Sequence, residues 1–193
     1  MALKVTVKVS SVTNLSDARY CAGMGVHMLG FVTIPGREGY VAPEVFQEMR
    51  GWFAGPQVVA EVYGLKQQSE LDFILENYRP DLLEGGRDEL FLMQASGLPY
   101  LFDVSDFDAD GLREMILSTH PPAYLIADTN SIVQNLMKLT QAEKVLIRLS
   151  DKDSEKYLQP HAQGFVLTSG REERPGLKDY AHLADVLEQL QLE

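Results

Sequence analysis

Charged and hydroxyl-bearing residues recur where the short apolar runs of this chain end. Lys8 and Ser10 belong to the first such run, and Glu61, Glu84, Asp103, Asp128 and Arg148 stand at the ends of later ones. Carboxylates at such positions can hold and transfer protons, and a guanidinium can grip a phosphate or carboxylate through two parallel N–H donors. Residues two apart on a strand share a face. Thr6, Lys8 and Ser10 therefore share one face of the first run, and Val5, Val7 and Val9 the other. The valines are expected to pack against helices, which leaves Lys8 and Ser10 pointing inward. The competing reading of these charges is an ion-pair network that seals one end of the fold, or plain exposure.

The elements that must position them alternate. Strands are expected at Val5–Val9, Met28–Thr33, Val58–Tyr63, Leu82–Glu84, Tyr100–Asp103, Tyr124–Asp128, Lys144–Leu149 and Gly164–Thr168. Helical periodicity marks Ser16–Met24, Pro43–Phe53, Ser69–Tyr78, Leu112–Ser118, Ser131–Leu139, Asp153–Leu158 and Tyr180–Leu190, with a short, weak connection at Glu89–Ser96. Pro43 suits the first turn of its helix. Eight strand–helix units predict a parallel sheet closed into one compact (β/α)8 barrel over residues 1–193. An open doubly wound sheet is the alternative, but the chain has no glycine fingerprint for a dinucleotide. In such a barrel the chemistry sits at the C-terminal ends of the strands. Arg148 and Arg171 follow the seventh and eighth strands, the usual phosphate corner of the fold. Surface bridges to Glu172 and Glu173 are the alternative use of these two arginines.

Composition narrows the partners. The chain has 193 residues, 45% of them hydrophobic, and a formal net charge of -11. So acidic a chain repels a nucleic-acid backbone and offers no polybasic patch to a membrane. No apolar run approaches a membrane span, and the start MALKVTVKVSSV lacks the apolar core of a secretion signal, so a cytoplasmic protein is expected. The one cysteine, Cys21, excludes an intrachain disulfide and is expected as a small buried apolar residue. His27, His120, His161 and His182 include no pair at helical i, i+4 spacing, so no metal site is expected. Asp106 to Gly111 imitates the start of a calcium loop, but Leu117 stands where the bidentate glutamate belongs, and helix capping explains the run better. Trp52 is expected to pack at the end of the second helix, and Gly85-Gly86 to make a tight turn.

Three stretches resemble a known family. Lys8, Thr13, Asn14, Asp17, Ala18, Gly25, Gly30 and Phe31 match the opening of phosphoribosylanthranilate isomerase, the barrel enzyme of tryptophan biosynthesis. Tyr40-Val41-x-Pro43-Glu44 and Thr168-Ser169-Gly170-x-Glu172-x-x-Pro175-Gly176-Leu177-Lys178-Asp179 are similar to two further stretches of that family. The resemblance implies an aminoaldose–aminoketose isomerisation by a carboxylic acid and a thiolate base. Asp128, in Leu125-Ile126-Ala127-Asp128-Thr129, falls at the acid's position, and Ser10 falls where the cysteine should be. A hydroxyl is a far weaker acid than a thiol of pKa about 8.5, so Ser10 is a poor base. The family's substrate-gripping arginine is absent or displaced, since Arg37-Glu38-Gly39 precedes Tyr40. Its Gln-Leu-His-Gly after strand four becomes Glu84-Gly85-Gly86-Arg87, and its phosphate-binding glycines after strand six and at strand seven are missing. Ser169-Gly170 alone remains of that phosphate site.

The expected site is therefore Asp128 and Ser10 as catalytic positions, with Lys8, Arg148, Thr168, Ser169, Gly170 and Arg171 binding substrate or phosphate. Arg148 and Arg171 would substitute for the lost glycine amides. No cofactor is expected. The favoured reading is a barrel that binds a small phosphorylated or acidic metabolite, with the isomerisation lost or altered. The alternatives are a working phosphoribosylanthranilate isomerase with Asp128 as general acid, and a catalytically silent protein acting through partner contacts. Monomer and homodimer both remain open.

Overall fold

The first apolar run forms strand β1 (Thr6–Ser10) in the computed structural model, which describes residues 2–105, 120–128, 145–149, 164–169, 172–174, 177–178 and 180–191. It is followed by β2 (Met28–Val32), β3 (Gln57–Glu61), β4 (Leu82–Gly85), β5 (Tyr100–Asp103), β6 (Tyr124–Asp128), β7 (Val145–Arg148) and β8 (Gly164–Thr168). All pair in parallel with their sequence neighbours, and β8 pairs with β1 from Thr6↔Gly164 to Ser10↔Thr168, which closes the barrel. A two-stranded antiparallel hairpin, β9 (Glu172–Arg174) and β10 (Leu177–Lys178), follows β8. The helices are α1 (Leu15–Gly23), α2 (Pro43–Arg50), α3 (Gln68–Tyr78), α4 (Leu90–Ala95) and α5 (Ala181–Gln189). The helices expected over 112–118, 131–139 and 153–158, the acidic run 106–111, Gly170 and Arg171 lie outside the described residues.

One two-residue step organises the interior. Met28, Val59, Leu82, Leu101, Ile126, Leu146 and Val166, one from each of β2 to β8, form a dry apolar plug inside the barrel. The next inward position on each strand lies two residues on. Those positions hold Gly30, Glu61, Glu84, Asp103, Asp128, Arg148 and Thr168, and β1 adds Lys8. The outward residues of the same strands, among them Val7, Val9, Phe31, Ala60 and Phe102, join the helices in a separate core. That core buries Cys21, as expected, and packs Phe31 edge-on to Phe46 with ring centroids 5.0 Å apart.

Two strand positions depend on glycine because nothing larger fits. A Cβ on Gly30 would come within 2.1 Å of Glu61 Oε1 and 2.7 Å of Lys8 Nζ. One on Gly164 would lie 2.3 Å from the Thr6 carbonyl, across the seam where β8 meets β1. Ser11 is a non-glycine residue with a left-handed φ of 55°.

Local signals act as their chemistry suggests. Asn14 caps α1 by accepting from the Asp17 amide at 2.9 Å. Buried Asp17 in turn accepts from the Tyr180 hydroxyl, tying the start of α1 to the start of α5. Pro43 opens α2, and α4 spans only six residues, as its weak pattern implied. Trp52 corrects one expectation. It is 68% exposed, and its neighbour Phe53 takes the buried place, at 6%. Only one of two adjacent side chains after a helix can face the core, and Phe53 stacks on Phe31.

Candidate functional site

The charged layer forms two connected groups. In the first, the Lys8 ammonium has no solvent exposure and lies 2.7 Å from Glu61 Oε1 and 2.5 Å from Glu84 Oε2. Glu61 also accepts from the Ser11 amide at 3.2 Å, a bond that the left-handed turn at Ser11 aims inward. In the second group, Arg148 Nη2 lies 2.5 Å from Asp103 Oδ2, and Nη1 lies 3.4 Å from Asp128 Oδ1. Tyr63 joins the two, with its hydroxyl 2.9 Å from Glu84 Oε1 and 3.2 Å from Asp103 Oδ2. A phenol has one hydrogen to donate, so it serves one of these carboxylates at a time.

Burial and charge set the proton affinities. Burial alone would lower Lys8, but Glu61 and Glu84 outweigh it and raise it above the ordinary lysine value. Lys8 is thus a permanent ammonium and cannot serve as a base for Ser10. It donates to Ser10 Oγ at 2.5 Å instead. Burial pushes Glu84 up, with Glu61 adding to the effect and Lys8 opposing it. The Tyr63 phenol is raised by burial and by the two carboxylates beside it, so it stays protonated.

Burial also pushes Asp103 up, but the Arg148 guanidinium and the Ser105 amide at 3.0 Å prevail and hold it below the usual aspartate range. A depressed carboxylate contributes stability that is present above its unfolded pKa and is lost as pH falls through its folded value. Asp103→Asn is expected to lower stability at neutral pH and to flatten the acid limb of the melting profile below about pH 4. Thermal melts of both proteins across that range check this, and an unchanged acid limb rejects it.

Four of these groups, Glu61, Tyr63, Glu84 and Arg148, line a cavity of about 350 Å³ open at the C-terminal ends of the strands. Glu61, Tyr63 and Glu84 lie at its floor, and Ser10, Ser11, Arg148 and Thr168 are among its walls. The ion-pair network expected as the alternative to a site is present, and it is also the base of an open cavity. Arg37 reaches the cavity from the loop after β2, with its Nη2 2.7 Å from where a Gly64 Cβ would stand. Gly64 has a φ of 95°, and lacking a side chain it lets the guanidinium lie against the backbone.

The expected site residues divide. Ser10, Arg148 and Thr168 line the cavity. Lys8 lies beneath it, with its ammonium occupied by two carboxylates and Ser10, so the expectation that it contacts phosphate gives way to a charge-holding place. Arg148 pairs with Asp103 and Asp128 within the mouth of the barrel. Ser169 is 1% exposed, its hydroxyl donates to the Ser11 carbonyl at 2.7 Å, and its amide donates to the Ser10 carbonyl at 3.2 Å. It ties β8 to the end of β1. Asp128 is half exposed at the rim. Tyr63 was missed as a site residue, although it continues the inward alternation two residues beyond Glu61.

The fold has known counterparts. Neither protein-family models nor curated proteins match the sequence. Solved structures do. Phosphoribosylanthranilate isomerase from Thermus thermophilus superposes with a TM-score of 0.73 at 20% identity, over 96% of this chain and 98% of that one. Monomers of the normally dimeric phosphoribosylanthranilate isomerase from Thermotoga maritima give 0.74 at 16%, over the same shares. An HpcH/HpaI aldolase/citrate lyase family protein from Burkholderia cenocepacia gives 0.60 at 10%, over 96% of this chain and 93% of that one. The likeness establishes the fold: a (β/α)8 barrel.

Proposed function

We propose that this chain is a phosphoribosylanthranilate isomerase-like barrel that binds a small phosphorylated or acidic metabolite in the cavity, and that the isomerisation of its structural neighbours does not run here. One observation carries the reading. Ser10 occupies the expected base position, and its oxygen receives a hydrogen bond from the Lys8 ammonium at 2.5 Å. A serine held by a cation next to no base cannot remove a carbon-bound proton. Asp128 supplies an acid without a partner base, and it leans toward Arg148.

The anion-binding end of the site is Arg37 with Thr168. Arg148 also faces the cavity, but its guanidinium already serves Asp103 and Asp128, so a phosphate there would compete with two carboxylates. Arg37 has no carboxylate within ion-pair distance among the described residues. A charge-assisted hydrogen bond contributes about 1.5–3 kcal/mol, so Arg37→Ala should weaken binding of ribose 5-phosphate by about 10- to 100-fold. Thermal shift and calorimetry with that probe measure it. Equal affinity in the variant, or no binding to either protein, overturns the anion site. Incubation with phosphoribosylanthranilate tests the other half. No turnover above background is expected, and no rescue of an isomerase-deficient tryptophan auxotroph. Turnover or rescue restores the isomerase reading.

A further inference from the structure

We propose that the cavity takes a small zwitterion, with a primary ammonium group on the Glu61–Glu84 floor and a carboxylate or phosphate at Arg37. This rests on the reading of the cavity as an anion-binding site and adds the second, cationic end of the ligand.

The floor carries more negative charge than the protein balances. Lys8 touches two carboxylates and can neutralise one, and Arg148 does the same for Asp103 and Asp128. Tyr63 is neutral and only bridges the groups. One carboxylate oxygen also lacks a close donor. Glu61 Oε2 has Ser11 Oγ at 3.5 Å, the outer limit of such a bond. Buried acceptors left this way carry a cost that a ligand can remove.

An ammonium group fits both deficits, since it brings one positive charge and three diverging N–H donors. A hydroxyl brings one donor and leaves the charge unbalanced. A metal ion fits poorly, because the Lys8 ammonium stands between the two glutamates, and no group of three or more metal-binding side chains occurs among the described residues. The anionic end follows from Arg37, which the loop between Gly36 and Gly39, with φ of 82° and 78°, carries to the rim.

The arrangement links binding to protons. Burial and Glu61 push the Glu84 carboxyl up, and Lys8 and Arg148 oppose them. The surrounding charges are Lys8, Glu61, Asp103 and Arg148, with the neutral Tyr63 phenol beside them, and an arriving ammonium favours the ionised carboxylate, so its affinity should rise with pH.

Matched probes that differ only in amino or hydroxyl test this on the intact protein. Phosphoserine is set against 3-phosphoglycerate, and glucosamine 6-phosphate against glucose 6-phosphate. Titration calorimetry in buffers of different ionisation enthalpy gives affinity and protons together. The amino member of at least one pair is expected to bind at least 10-fold more tightly. Glu84→Gln should abolish the preference for the amino member. Glu61→Gln should reduce the preference. If the hydroxyl members bind as tightly, the zwitterion is wrong and the anion site stands. If no probe binds but ribose 5-phosphate does, the same holds. If nothing binds, both readings fall.

Discussion

Lys8→Met is expected to destabilise the protein by about 3–5 kcal/mol at neutral pH, more than any surface substitution. The two side chains are similar in length, so the effect is chiefly electrostatic. Removing the ammonium leaves Glu61 and Glu84 facing each other inside the barrel with no cation between them, and both are nearly inaccessible to water. Breaking a buried pair leaves an uncompensated charge, and here it leaves two. The sign of the pH dependence follows. In the variant both carboxylates are raised in the folded state relative to the unfolded one. The penalty is absent below the ordinary glutamate pKa and grows as pH rises through the interval above it. Chemical denaturation of both proteins at about pH 5 and pH 8 should show the deficit shrinking in acid. A deficit below about 1 kcal/mol, or one equal at both pH values, would place the stabilising role elsewhere.

The second large effect is expected from the smallest change. Gly30→Ala should cost about 2–4 kcal/mol, since overpacking and loss of a buried charge contact act together. The added methyl would stand 2.1 Å from Glu61 Oε1, and that carboxylate is pinned by Lys8 and the Ser11 amide. The carboxylate cannot retreat without releasing one of them. A double-mutant cycle isolates the clash. In a Glu61→Ser background the 2.1 Å clash is gone and the contact with the flexible Lys8 Nζ at 2.7 Å remains, so the same Gly30→Ala change should cost less. An equal cost in both backgrounds would mean the strain lies in the strand and not in the ion pair.

Much of this was legible before any coordinates. Short β-branched apolar runs located β1 to β8 to within a residue or two, because each strand has an apolar outer face. Lys8 and Ser10 were placed inward by the valines between them. The layer to which each inward residue belongs was not legible. It depends on the register between strands, such as Glu61↔Glu84, which only the closed barrel fixes. Tyr63 closes the expected strand Val58–Tyr63, but the strand stops at Glu61, and period two alone does not mark a tyrosine as the link between two ion-pair groups. Arg37 stands where the resemblance has the gripping arginine absent or displaced, yet the glycines around it and Gly64 bring its head to the cavity. Ser169 read as a phosphate ligand because its motif was kept, yet its hydroxyl is spent on the neighbouring strand.

The two-residue step from apolar plug to charged layer has a consequence for whatever enters. Two residues of strand span about 7 Å, so the medium changes from hydrocarbon to charge across little more than one side chain. Water can relax the fields of these charges only from the open mouth. A ligand seated there closes the last route for solvent, and every pair beneath it then interacts through a less polarisable medium. The occupant is also the lid. Its own charges help decide how strongly Lys8, Glu61 and Glu84 hold one another, so affinity and the stiffness of the barrel floor should rise together across any series of ligands.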